Sequence, residues 1–102
     1  MEKTQKIFVK EIIDSEFAVS LDRADLLYNF LTGILQNNEK IDLSFEGIDV
    51  MLTVFANESI GKLYESFPPE LIENIVMVDI DDNTMDTIIR VKKKALELYN
   101  NK

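Results

Sequence analysis

Apolar positions follow two different periods along this chain, and the changes between them mark its elements. Residues 6–13 (KIFVKEII) are dense in β-branched and aromatic side chains and predict a strand. Asp14 and Ser15 supply turn chemistry, since both side chains can bond nearby backbone. Phe17, Ala18 and Val19 then predict a short return strand, closing an N-terminal hairpin behind a polar lead-in over 1–5. From Ser20 the period becomes helical. Ala24, Leu27, Leu31, Ile34 and Leu35 share one face, with Tyr28 and Phe30 beside it. Ser20 is placed to cap this helix, and Asp22 and Asp25 complement its dipole. It ends near Gln36, Asn37 and Asn38, with Gly33 a mild weakness inside it.

The alternation returns at Ile41, Leu43 and Phe45, a strand that runs into Glu46 and Gly47. A second apolar push follows (Ile48, Val50, Met51, Leu52), and Thr53 opens an amphipathic helix reaching Phe67. Ala56, Ile60, Leu63 and Phe67 form its buried stripe; Asn57, Glu58, Lys62 and Glu65 face away. Pro68 and Pro69 stop it. Residues 70–74 predict a single helical turn, and 75–78 (IVMV) a short strand covered on both faces. Residues 79–83 cap a last helix over 84–99, with the stripe Met85, Ile88, Ile89, Ala95, Leu96 and Tyr99. Its acids (Asp81, Asp82, Asp86) precede its cations (Arg90, Lys92, Lys93, Lys94), as the helix dipole favours. The order β-β-α-β-α-β-α predicts one small two-layer α/β domain over 1–102. Its four-stranded sheet is mostly parallel and mixed, with the hairpin as an antiparallel edge.

Composition narrows the function. The 102 residues carry a net charge of −8, which opposes nucleic acid at every approach. There is no Cys and no His. Disulfides, thiolate zinc sites and thiol catalysis are excluded, and so is the usual general base near neutral pH. No nucleophile has a base beside it in sequence, so a non-enzymatic role without cofactors is expected. No apolar run reaches the length of a membrane span, and the N-terminus lacks the pattern of a signal peptide, so a cytoplasmic location is expected.

Two stretches carry a family likeness: SLDRADLL at the start of the first helix, and IDLSFEGIDVMLTVFANESIGKL through the central strand. With the order of elements, they resemble the STAS-like family, bacterial relatives of the STAS domain of anti-sigma factor antagonists. Ser44-Phe45-Glu46-Gly47-Ile48 fills the place of a D-F-x-G-V-like strand end, and Phe55-Ala56-Asn57-Glu58 that of an F-A-(D/N)-E helix opening. Arg23 matches a recurrent arginine, and the likeness extends over about residues 7–99. Ser44 stands where an Asp is common. At the turn that carries the phosphorylated Ser in true antagonists, this chain has Leu52, Thr53 and Val54, with Thr53 its one hydroxyl. The resemblance implies a regulatory module that works by partner switching. Its partner would be a kinase-like or anti-sigma-like regulator.

On that reading Gly47, Asp49, Asn57, Glu58 and Lys62 bind the partner, Gly47 by letting the backbone turn sharply. Thr53 is the phospho-acceptor candidate, and otherwise the N-cap of its helix. The alternatives are a small-molecule or nucleotide sensor using the same helix N-terminus, or an oligomerising subunit in a phage or defence system. The chain is expected to be a monomer or a homodimer. Asp79, Asp81 and Asn83 share the D-x-D-x-N spacing of a calcium loop. Thr84 stands where that loop needs Gly and Arg90 where it needs a bidentate Glu, so capping is expected instead of metal. Arg90, Lys92, Lys93 and Lys94 read as a solvated face, or else as a docking patch for an acidic partner. Tyr28 and Tyr64 would anchor an interface if exposed together.

Overall fold

The computed structural model describes residues 4–101. Strand β1 (Gln5–Phe8) leads into a short helix α1 (Val9–Ile13), and β2 (Phe17–Ala18) into α2 (Leu21–Gln36). The central strand β3 (Ile41–Ser44) is followed by β4 (Val50–Met51), α3 (Thr53–Ser59) and a 3-10 segment (Gly61–Glu65). Helix α4 (Pro69–Ile72), β5 (Ile75–Val78) and α5 (Asp82–Asn100) complete the domain.

The expected N-terminal hairpin does not form. The pattern over 9–13 explains why: in a strand Val9, Glu11 and Ile13 would share a face, burying a carboxylate. Coiled as a helix, Val9 and Ile13 are both buried at i, i+4 spacing while Lys10 and Glu11 are exposed. Asp14 closes this turn in the left-handed conformation (φ 53°), which Asp tolerates better than most residues. Burial thus overrides β-propensity. Freed from β1, Phe17 and Ala18 pair in parallel with Val50 and Met51, and Asp49 N–H (to Glu16 O, 2.8 Å) and Leu52 N–H (to Ala18 O, 3.0 Å) extend the ladder.

Among the described residues the strands therefore form two parallel sheets, β1-β3-β5 and β2-β4, in place of one four-stranded mixed sheet. In the larger sheet Ile7, Leu43 and Met77 lie in register, as do Lys6, Asp42 and Val76. The first row packs against the core with the helices; the second row is at least partly open to solvent. The domain has two layers, as the pattern predicts. Strand β5 departs from expectation: it is an edge strand with one open face, not one covered on both.

Helix α2 follows the sequence closely. Ser20 caps it by accepting from Arg23 N–H, and Ala24, Leu27, Leu31 and Leu35 are buried. Arg23 Nη1 reaches back to the carbonyls of Ile13 and Asp14, fastening the end of α1 to the start of α2. The helix expected over 53–67 is shorter than its stripe. Ser59 Oγ donates to Phe55 O (2.7 Å), a bond that loosens the helical ladder, and Gly61 follows. The chain tightens there into the 3-10 segment, still burying Ile60 and Leu63. A Cβ on Gly61 would lie 3.0 Å from Val91 Cγ1, so α5 approaches closely at this position.

Candidate functional site

The parallel pairing of β2 with β4 decides which side chains reach solvent. Ala18 and Met51 face inward and are buried. Their neighbours Phe17, Val19, Val50 and Leu52 therefore face outward, because a strand alternates sides. Leu21, the first residue of α2, and Val54, the second of α3, are exposed as well. All six are exposed, Phe17 by 50% and Leu52 by 45%. Together they offer on the order of 400 Å² of apolar surface, in the range of the largest patch on a typical monomer, which is often a functional one. A single exposed Leu would mean nothing, but six on two adjoining segments do.

Thr53 lies within this patch. The N-cap of α3 is Leu52, whose side chain makes no capping bond, and Thr53 is the first helical residue. The expected capping role of Thr53 is thus not realised, and Thr53 is exposed, as are its chain neighbours Leu52 and Val54.

Gly47 and Asp49 lie just upstream, in the β3–β4 connection, both exposed. Gly47 adopts φ +83°, and the Lys10 side chain lies over it, where an added Cβ would meet Lys10 Cδ at 2.7 Å. Asn57, Glu58 and Lys62 are brought together elsewhere. They line a cavity of about 250 Å³ between the α3–3-10 region and the C-terminal half of α5, with Tyr64 and Leu98. Lys62 Nζ stands 4.7 Å from the centre of the Tyr28 ring. Tyr64 is buried and Tyr28 half-buried, so the two do not form an exposed pair. Burial, and secondarily Glu73, holds the Tyr64 hydroxyl above its ordinary pKa.

A polar cluster at the carboxyl end of the three-stranded sheet went unread in the sequence. Ser44 is fully buried; its Oγ donates to Asp79 Oδ2 (2.7 Å) and accepts from Glu46 N–H (3.2 Å). Asp79 also pairs with Lys6 Nζ at 2.8 Å. The Lys6 bond, then the Ser44 bond, holds the Asp79 carboxyl below the usual range, and Asp79 in turn raises Lys6. Asp79, just past β5 and in the left-handed conformation (φ 54°), thus places a carboxylate beside Ser44 at the end of the central strand. Asp81 has a separate task. It caps α5 by accepting from Thr84 N–H (2.7 Å), which lowers its pKa. The two acids of the calcium-like spacing are therefore engaged in different bonds.

A family model described as a STAS-like domain of unknown function (DUF4325) matches residues 24–85, from the first turn of α2 to the first turn of α5. The chain belongs to this family. The STAS-like match includes β3, β4 and α3, and so the half of the apolar patch that holds Val50, Leu52, Thr53 and Val54. No curated protein and no solved structure matches the chain. No helix among the described residues is long and apolar enough to cross a membrane.

Proposed function

We propose that this STAS-like domain is a regulatory protein-binding module whose contact surface is the outward face of the β2–β4 ribbon with the first turn of α3. One observation carries the reading. Phe17 and Val19 run alongside Val50 and Leu52, and Leu21 and Val54 follow them at the starts of α2 and α3, all exposed, on a chain whose charge of −8 otherwise favours solvent. Such a patch supplies the apolar centre of an interface, which a polar rim completes to the roughly 800 Å² per partner of a standard complex. Gly47 and Asp49 belong to that rim. The family likeness supports a kinase-like ATPase regulator as the partner.

Thr53 makes the surface switchable. A phosphate there adds about two negative charges between apolar side chains, which opposes burial of the patch. Affinity capture on the immobilised domain tests the reading. A kinase-like ATP-binding protein from the native host is retained by the wild-type domain and lost with Leu52→Asp. Equal retention by both would refute it.

A second reading, small-molecule or nucleotide sensing, is favoured by the cavity shared by Asn57, Glu58 and Lys62. Its mixed charges and aromatic floor suit a small polar ligand. A thermal-shift screen of nucleotides and amino acids separates the two: stabilisation abolished by Lys62→Ala, which removes a charge from the cavity lining, would favour the sensor.

A further inference from the structure

The two edges of the three-stranded sheet differ in a way that bears on self-association. Edge strands invite pairing with other chains unless charge, proline or a bulge blunts them. The β1 edge has Gln5 and the ion-paired Lys6. The β5 edge, IVMV, has neither charge nor proline. Ile41 and Phe45 donate to the carbonyls of Asn74 and Val78, so the even-numbered residues of β5 direct their backbone at β3. By alternation, the N–H and C=O groups of Ile75 and Met77 point to the free edge. Beside that edge runs a groove of about 310 Å³ between β5 and α5, with Met85 and Ile89 on its far wall. Val76 (39% exposed) and Ile89 (54% exposed) flank it.

The exposed stripe of α5 that shares Ile89 with this groove indicates, by its charges, what covers it. Asp82, Asp86, Ile89 and Lys93 are exposed at i, i+4, i+7 and i+11, one stripe of the helix. Acids occupy the turns before Ile89, and Lys92 and Lys93 the turn after it. Such a stripe complements an antiparallel copy of itself: with Ile89 near a two-fold axis, each Asp86 meets the lysines of the other helix. A parallel copy would set Asp86 against Asp86. The same two-fold runs β5 antiparallel to its copy, so that Ile75 and Met77 of each chain exchange backbone hydrogen bonds and Val76 faces Val76.

We infer that the protein forms a two-fold homodimer through β5 and α5, joining two three-stranded sheets into one of six strands. The interface is distinct from the β2–β4 patch, and the inference holds whether or not that patch binds a regulator. Sedimentation velocity on the full chain tests it. The mass should rise from 11.8 kDa toward twice that value between micromolar and millimolar concentration. Val76→Lys and Ile89→Lys, each at an exposed position, should leave the urea midpoint nearly unchanged and abolish the rise. Asp86→Lys and Lys93→Asp should each weaken the dimer about tenfold or more, and the double reversal should recover most of that loss. A chain that stays monomeric throughout, a dimer indifferent to Val76→Lys and Ile89→Lys, or a double reversal no better than the singles would each overturn the inference.

Discussion

Replacing Ser44 by Ala isolates the polar cluster at the sheet's carboxyl end. Ser44 is fully buried, and its hydroxyl both donates to Asp79 and accepts from Glu46 N–H. Ala fits the same space, so there is no packing term. The loss is one charge-assisted bond and the acceptor for a part-buried amide. With water free to reach the exposed partners, such a loss costs about 1 kcal/mol net, and the variant should lose about that much. For a domain of this size that lowers Tm by roughly 4–8 °C per kcal/mol. Urea melts followed by circular dichroism should show a lower midpoint with an unchanged slope. The pH dependence separates this cause from a general loss of stability. Ser44 helps depress the Asp79 pKa, so that pKa rises in the variant while the unfolded value stays put. The wild type therefore loses more stability on acidification, and the gap between the two proteins narrows as pH falls through the folded pKa of Asp79. A variant within about 0.5 kcal/mol of wild type at neutral pH, the usual range of inert surface changes, would refute the assignment. So would a gap that does not change with pH.

Three further outcomes follow from the same geometry. Ser20→Ala should cost about 1 kcal/mol by removing the cap of α2, and Ser20→Gly only a few tenths, read from urea midpoints. Gly61→Ala should destabilise by roughly 1 kcal/mol or more, since its Cβ would press on Val91 Cγ1 at 3.0 Å, and adding Val91→Ala should leave little further loss of its own. In wild type, Asp79 and Asp81 have folded pKa values below their unfolded values, so the stability they contribute is present above the unfolded carboxylate pKa of about 4 and lost as pH falls through the folded values. Acid unfolding of Asp79→Asn should accordingly be less steep than that of wild type.

The helices and the core were largely legible in the sequence, because helical periodicity and caps are local signals. Ser20, Leu27, Leu31 and Ile60 sit where their spacing predicts. Strand pairing was not legible, because pairing is settled by burial across the domain. Residues 9–13 coil to keep Glu11 out of the core, and that choice sends β2 to β4 and divides the sheet. The apolar patch carried a readable signal: F-x-V-x-L over 17–21 and V-x-L-x-V over 50–54 share one alternation. Apolar side chains assigned to a core by default conceal such a surface. The Ser44–Asp79 cluster was hidden by distance in sequence, since register alone brings residue 44 beside residue 78. Among the proposed contact residues, Asn57, Glu58 and Lys62 do share a place, but it is a cavity against α5, apart from the β3–β4 connection that holds Gly47 and Asp49.

The central claim is that the outward face of the β2–β4 ribbon is where this STAS-like domain meets a regulator. Calorimetric titration of a host kinase-like ATPase with three forms of the domain tests it most directly: wild type, Leu52→Asp, and Lys40→Asp at an exposed site outside the patch. Placing a charge at the centre of a buried apolar contact should weaken binding at least tenfold, a loss of about 1.4 kcal/mol. Lys40→Asp should bind within about twofold of wild type, as expected of a residue away from the buried contact. Equal heats for wild type and Leu52→Asp, or no heat with any form, would contradict the account.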